Sequence, residues 1–233
     1  MSSQVPQRRR WIPIVLIAAV TALVGYAIVA ISVGEGGPLA IEIDGSDAVQ
    51  RLYGGLPQDE AALGQSDAPV TVRVFTDIQC GECGEWYLAL VPALVDGYVR
   101  DGRAKIELRH FSQGTRTTQL AAIGGAAAAD QGREFQFSHL FILNQDKVPE
   151  NGVSDEFLLR IASAVPRMEG GEWEEAFEGP SAEEAAREDT ELATELRFPV
   201  GSAVFVEGPA GSEELPQDPS LAEVERAITA AGG

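Results

Sequence analysis

One short segment restricts this chain more than any other. Val70 to Phe75 is a run of β-branched and aromatic residues that reads as a strand. Thr76-Asp77-Ile78-Gln79 follows as a loop, and Cys80-Gly81-Glu82-Cys83 then opens a stretch with Trp86, Leu90 and Leu94 at helical spacing. A helix sets residues three apart on one face, so the two sulfurs can meet across its first turn. The free amides and positive dipole end of a helix stabilise an anion there, which lowers the pKa of a thiol. The chain holds two cysteines in all, and a bridge between them closes so small a loop that it restrains the unfolded chain little. Redox chemistry is therefore the expected reason for the pair. Cys80, first in the turn and nearest solvent, is the expected attacking sulfur; Cys83, one turn deeper, is the resolving one.

Other chemistry is poorly supplied. A zinc site needs about four ligands, and the histidines are His110 and His139 with no second cysteine pair. No metal and no cofactor is expected, and both histidines read as packing or capping residues. Asp77, a carboxylate just past the strand, is placed to move protons for the buried sulfur. Its other reading is an ordinary turn residue.

Trp11 to Val33 contains no charged residue and is mostly Ile, Val, Leu and Ala, long enough for a helix to cross a bilayer. Three of the 17 basic residues, Arg8, Arg9 and Arg10, precede it, and all 36 acidic residues follow it. Basic residues flank the cytoplasmic side of a span. The expectation is a signal-anchor, with residues 1–10 cytoplasmic, 11–33 in the cell membrane as a single pass, and the carboxyl-terminal domain extracytoplasmic. The competing reading is a cleaved signal peptide, whose apolar core is usually shorter. The acidic remainder repels phosphate backbones, which excludes nucleic acid as a natural partner.

Residues 34–60 read as a linker that opens on Gly34-Glu35-Gly36-Gly37-Pro38, with a short alternating strand at Leu39 to Ile43. Residues 61–233 form the main domain. After the CxxC helix, which contains Pro92, comes a second strand from Ala104 to Phe111. A long alanine-rich helical region then runs from near Thr118 to Asn144. Ser154 is positioned to cap a helix burying Phe157, Leu158 and Ile161, while Ser181 with Glu184 and Ser220 with Glu223 have capping-box spacing. Ala203 to Val206 reads as a buried strand. Strand, helix, strand, several helices, strand, helix is an α/β order with a helical block in the middle, about 117–197.

These motifs resemble the DsbA-like family of thioredoxin-fold proteins, especially its membrane-anchored bacterial members. The resemblance lies in Leu63 to Val72 leading into the first core strand and in Phe75-Thr76-Asp77-Ile78-Gln79-Cys80. It continues in Ala121 to Ala129, Gln131-Gly132-Arg133-Glu134-Phe135, His139-Leu140-Phe141, and Leu196 to Gly208 at the place of the substrate loop. It implies a thioredoxin-like fold with an inserted helical domain and dithiol–disulfide exchange on cysteine-containing exported proteins, with Cys80 as nucleophile and Cys83 as resolving thiol. If the direction is oxidation, it also implies a membrane redox partner that restores the disulfide. The chain departs from the family in two places. Glu82 stands where strong oxidants have a histidine, and Glu82 and Glu85 should raise the pKa of Cys80. Ser202 or Ala203 stands at the family's cis-proline, beside the substrate. A reductase or isomerase, and a non-catalytic thioredoxin-fold binding module, are the alternatives.

Overall fold

The computed structural model describes residues 41–198 and 201–233. Its centre is strand β3 (Val70–Thr76), where Val70, Val72, Val74, Phe75 and Thr76 are buried. Its first half alternates, with Thr71 and Arg73 only partly buried on the second face, while Val74, Phe75 and Thr76 are covered on both faces. β3 pairs in parallel with β4 (Ala104–His110) and antiparallel with β5 (Ala203–Gly208). Two short strands, β1 (Gln58–Asp59) and β2 (Ala62–Leu63), extend the sheet beyond β4, and β6 (Gly211–Glu214) extends it beyond β5. The sheet order is β1-β2-β4-β3-β5-β6.

Helix α1 (Ser46–Tyr53) precedes the sheet, and α2 (Gly81–Leu94) follows β3. Five helices lie between β4 and β5: α3 (Arg116–Ala129), α4 (Glu134–Leu143), α5 (Asp155–Ala164), α6 (Gly170–Glu178) and α7 (Pro180–Glu195). Helix α8 (Leu221–Ala231) closes the domain, packing on β5 and β6 and touching α2. This is the expected thioredoxin-like α/β arrangement, with a mixed sheet and a helical block between its second and third long strands. The core is continuous from the sheet into that block: Leu90 and Val91 of α2 share one apolar cluster with Phe135, Phe137, Leu140 and Phe141 of α4 and Phe157 and Ile161 of α5.

Several local expectations hold. Ser154 accepts the Phe157 N–H at the start of α5, and Ser220 and Glu223 form a capping box on α8. The alanine-rich region is two helices rather than one, broken at Gly132, whose φ of +60° suits glycine. Pro92 falls within the last turn of α2, after which the chain passes into a π-helical turn, Val95–Val99.

Other expectations are corrected. Ser181 and Glu184 do not cap a helix: α7 begins two residues earlier than that cap would place it, with Gly179 at the cap and Pro180 at the first helical position. Proline suits that position because its missing N–H would have no helical partner. Ile41 to Ile43, the described part of the expected first strand, is not a strand. Ile41 and Ile43 pack against the core, but the neighbouring main chain is held by side chains, Asp44 N–H by Asn144 Oδ1 at 2.9 Å and Glu42 C=O by Lys147 Nζ at 2.6 Å. Alternation here records a buried face without a strand neighbour. The stretch read as linker contains α1, whose Val49 and Tyr53 are buried. Residues 11–33 lie outside the described residues; among those described, no helix is long and apolar enough to cross a membrane.

Candidate functional site

Strand β3 delivers the chain to the site. Cys80 is the N-cap of α2 and is joined to Cys83 in a disulfide, with the two Cα atoms 5.2 Å apart. The Cys83 N–H points at Cys80 Sγ, 3.2 Å away, so an unpaired helix amide faces the outer sulfur. Cys83 is buried and Cys80 partly exposed, as their order in the turn predicts. Glu82 and Glu85 lie in solvent, where water and salt weaken their effect on the sulfur.

Gly84, directly after the second cysteine, lets the helical block approach. A Cβ on it would meet Ile142 Cγ2 at 2.9 Å and Gln145 Oε1 at 3.1 Å. The Gln145 side-chain amide donates to the carbonyl of Ile78 and lies 3.5 Å from that of Cys80. The loop before the redox pair is thus held from the helical block as well as from the sheet.

Asp77 is buried, 1% exposed. Its Oδ1 accepts the Gln79 N–H at 2.9 Å, while Oδ2 has no hydrogen-bond partner among the described residues. Loss of water raises its pKa, and main-chain amides of Gln79, Gln113 and Cys80 act against that rise. An acid with one unpaired oxygen and a raised pKa, three residues before the outer cysteine, can carry a proton. Its backbone also makes the turn, since Asp77 C=O accepts the Cys80 N–H. The two readings of this residue are compatible.

Ser202 and Ala203 lie at the start of β5, beside the end of β3. Ala203 pairs with Phe75 across the β3–β5 ladder. Ser202 is fully buried, and its hydroxyl lies 3.2 Å from that of Thr76. Its N–H donates to Asp218 Oδ1 at 2.7 Å, and its C=O accepts the Asp218 N–H at 3.0 Å. No peptide bond among the described residues is cis. Phe75, Phe198 and Phe205 pack edge to face or tilted beside this point, with Phe111 against Phe198.

Buried polar groups lie where α4 of the helical block meets α1, α2 and β4. Tyr53 OH lies 2.9 Å from His139 Nδ1 and 3.4 Å from Tyr87 OH. His110 Nε2 lies 2.8 Å from Ser138 Oγ and 3.4 Å from Glu134 Oε1. Burial pushes both imidazoles down to about 4 and raises Glu134 well above the usual carboxylate range. The His110 ring in this contact is therefore neutral near pH 7. Both histidines are packed groups, as the sequence predicts. Among the described residues no cluster of His, Cys, Asp or Glu suits a metal ion.

Sequence reasoning missed Gln145, Asp189 and Asp218. Asp189 of α7 binds Arg109 and the His110 N–H, and Gln217-Asp218-Pro219 shows only turn chemistry. Their partners lie 16 to 80 positions away along the chain, beyond any local pattern.

Comparison with known proteins agrees with this arrangement. The thioredoxin family model matches residues 57–210. A probable disulfide bond formation protein D of Bacillus anthracis is 26% identical over 152 residues, which make up 64% of this chain and 70% of that protein. Its counterpart in Bacillus cereus is 25% identical over the same length. Among solved structures, alpha-DsbA1 of Wolbachia pipientis superposes with a TM-score of 0.62 at 18% identity, covering 78% of this chain and 95% of that one. Oxidised BdbD of Bacillus subtilis gives 0.58 at 18%, covering 75% and 95%. At such identities the structures speak for the fold alone, while the family model reaches from β1 past the end of β5. With its cysteine pair at the N-terminus of α2 and its helical block between β4 and β5, the chain is a DsbA-like member of the thioredoxin family.

Proposed function

We propose that the protein is a membrane-anchored thiol–disulfide oxidoreductase that exchanges disulfides with cysteine-containing exported proteins through Cys80 and Cys83. One observation carries the reading: the sulfurs are bonded across the first turn of α2, with a helix amide aimed at the outer one. In the oxidising direction a substrate thiolate attacks Cys80 Sγ, the Cys80–Cys83 bond breaks, and Cys83 leaves as a thiolate. A second substrate thiolate then attacks the substrate sulfur of the mixed disulfide, and Cys80 leaves. Two electrons pass to the pair, and a membrane redox partner acting as a disulfide oxidant removes them. Asp77 is the proton carrier for Cys83. Run in reverse, the same steps reduce a substrate disulfide; attack by reduced Cys80 followed by release to a different substrate thiolate isomerises it with no net electron transfer, and the potential of the pair relative to its partner sets which course is taken.

Exchange between the purified chain and a reduced, unfolded protein is the deciding measurement. Activity in the wild type that vanishes in Cys80→Ser supports the enzyme reading, while an inactive wild type leaves a binding module that keeps the fold. The Cys80–Cys83 reduction potential then separates oxidase from reductase. The anchor, residues 11–33, has its own test. Protease added to intact spheroplasts should digest the acidic domain and spare the amino terminus; a domain that resists until the membrane is broken places it on the cytoplasmic side.

A further inference from the structure

β5 begins at Ala203, which leaves Ser202 as the residue before the strand; it keeps a main-chain N–H where a prolyl ring carries none, and it is fully buried. A buried donor needs a partner, and this one comes from the Gln217–Pro219 turn. Asp218 takes the Ser202 N–H on its carboxylate and returns its own N–H to the Ser202 carbonyl. Pro219, next in the chain, accepts the indole N–H of Trp86 at 2.9 Å, and Trp86 lies on α2 three residues past Cys83. On its far side Ser202 meets Thr76, the last residue of β3 and the neighbour of Asp77. The turn therefore touches both walls of the site, the helix bearing the sulfurs and the edge opposite.

The fit is close. Asp218 has a φ of +47°, which non-glycine residues adopt only where their surroundings hold them. Gly201 has a φ of +83°, and a Cβ on it would collide with the Gln217 side chain and come within 2.9 Å of Asp218 Oδ2. The turn and the loop are thus shaped to each other.

We infer that Asp218 is a positioning residue for substrate: its carboxylate fixes the Ser202 edge relative to α2, in place of a rigid ring. The ligand is an extended, cysteine-containing polypeptide, and the inference rests on the exchange activity proposed above. Preorganisation of this kind strengthens the binding of an extended chain and leaves the thiol chemistry alone.

The test uses the detergent-solubilised full chain in its oxidised form, with reduced ribonuclease A as the protein substrate and dithiothreitol as the small one. Asp218→Ala should raise the half-saturating concentration of ribonuclease about tenfold, the effect of losing one charge-assisted hydrogen bond. The rate with dithiothreitol should change by less than about twofold. Asp218→Asn, whose amide oxygen still accepts, should recover most of the affinity. In a Ser202→Pro background, Asp218→Ala should add nothing, because no N–H remains to be held. Hydrogen exchange at the Ser202 amide should accelerate in Asp218→Ala and stay slow in Asp218→Asn. Unchanged affinity in Asp218→Ala, equal losses with both reagents, or the same loss on the proline background each overturns the assignment. An inactive wild type overturns the exchange reading itself, whereas an active wild type with an indifferent Asp218→Ala overturns only the role of Asp218.

Discussion

The end of β3 and the beginning of β5 are neighbours in the sheet and are built in opposite ways. The chain leaving β3 carries its chemistry within eight residues, Thr76 to Cys83, and the helix that follows supplies the amide that faces the sulfur. The chain entering β5 carries little by itself. Ser202 is set by Asp218, 16 residues away, and by Thr76, 126 residues away. The redox turn is thus built locally, while the start of β5 is set by distant segments. A change on the β3 side should alter the chemistry toward every reagent; a change on the β5 side should alter only how large substrates dock.

The largest expected effect breaks the β3 side outright. Cys80→Ser should lower exchange by about three orders of magnitude or more with protein and small thiols alike. Cys83→Ser should instead accumulate mixed disulfides, visible as covalent adducts on non-reducing gels. Equal trapping by both variants contradicts the assigned roles.

Asp77→Asn sharpens the comparison. It should slow exchange about tenfold or more for both reagents by removing the proton carrier. It should also raise Tm near pH 7: burial raises the Asp77 pKa, so the charged form costs stability that a neutral amide does not. Slower exchange without a rise in Tm would show that the carboxylate is not held against its preference.

Gly84→Val probes the contact between the redox helix and the helical block. A Cβ there meets Ile142 at 2.9 Å, so overpacking should destabilise the domain by about 1–3 kcal/mol, read from denaturant unfolding. A neutral effect would mean the two parts separate easily at this point.

The smallest effect lies behind both walls. Burial holds His110 and His139 at about 4, below the usual imidazole value of about 6.5 in an unfolded chain. The unfolded chain binds those protons more tightly, so the stability they supply is complete above about pH 6.5 and is lost as pH falls toward about 4. Asp189, pushed up to about 6, acts oppositely: its folded carboxyl binds the proton more tightly, and acidification below about 6 favours the fold. His139→Gln removes one histidine and leaves Asp189, so Tm should fall less steeply between pH 6.5 and 4. An unaltered slope would show that His139 does not resist protonation.

The same contrast explains what the sequence discloses. β3, the CxxC turn, β4 and β5 are legible because β-branched runs and a three-residue cysteine spacing are short-range signals. α1 is not, because what makes Ser46–Tyr53 structural is Tyr53 reaching His139, 86 positions on. Ile41 and Ile43 misled for the converse reason: they alternate and pack, yet no strand lies beside them. Asp77 was recognisable as a carboxylate before the cysteines, but its unpaired oxygen depends on what covers it. The position before the last core strand could be narrowed to Ser202 or Ala203, whereas Asp218 had no signature.

The two rims of the sheet bear on the company such a protein would keep. Among the described residues the sheet stops on one side at Gln58–Asp59, only two residues long, and on the other at Gly211–Glu214, which carries Glu213 and Glu214. Unfinished chains are rich in exposed strands that seek an unpaired border to extend, and long apolar borders seed aggregates. A border of two residues offers too little ladder to template, and an incoming apolar strand on the other would have to desolvate Glu213, Glu214 and the paired Arg226. Among the described residues, neither rim therefore offers the long apolar edge that templates strand addition.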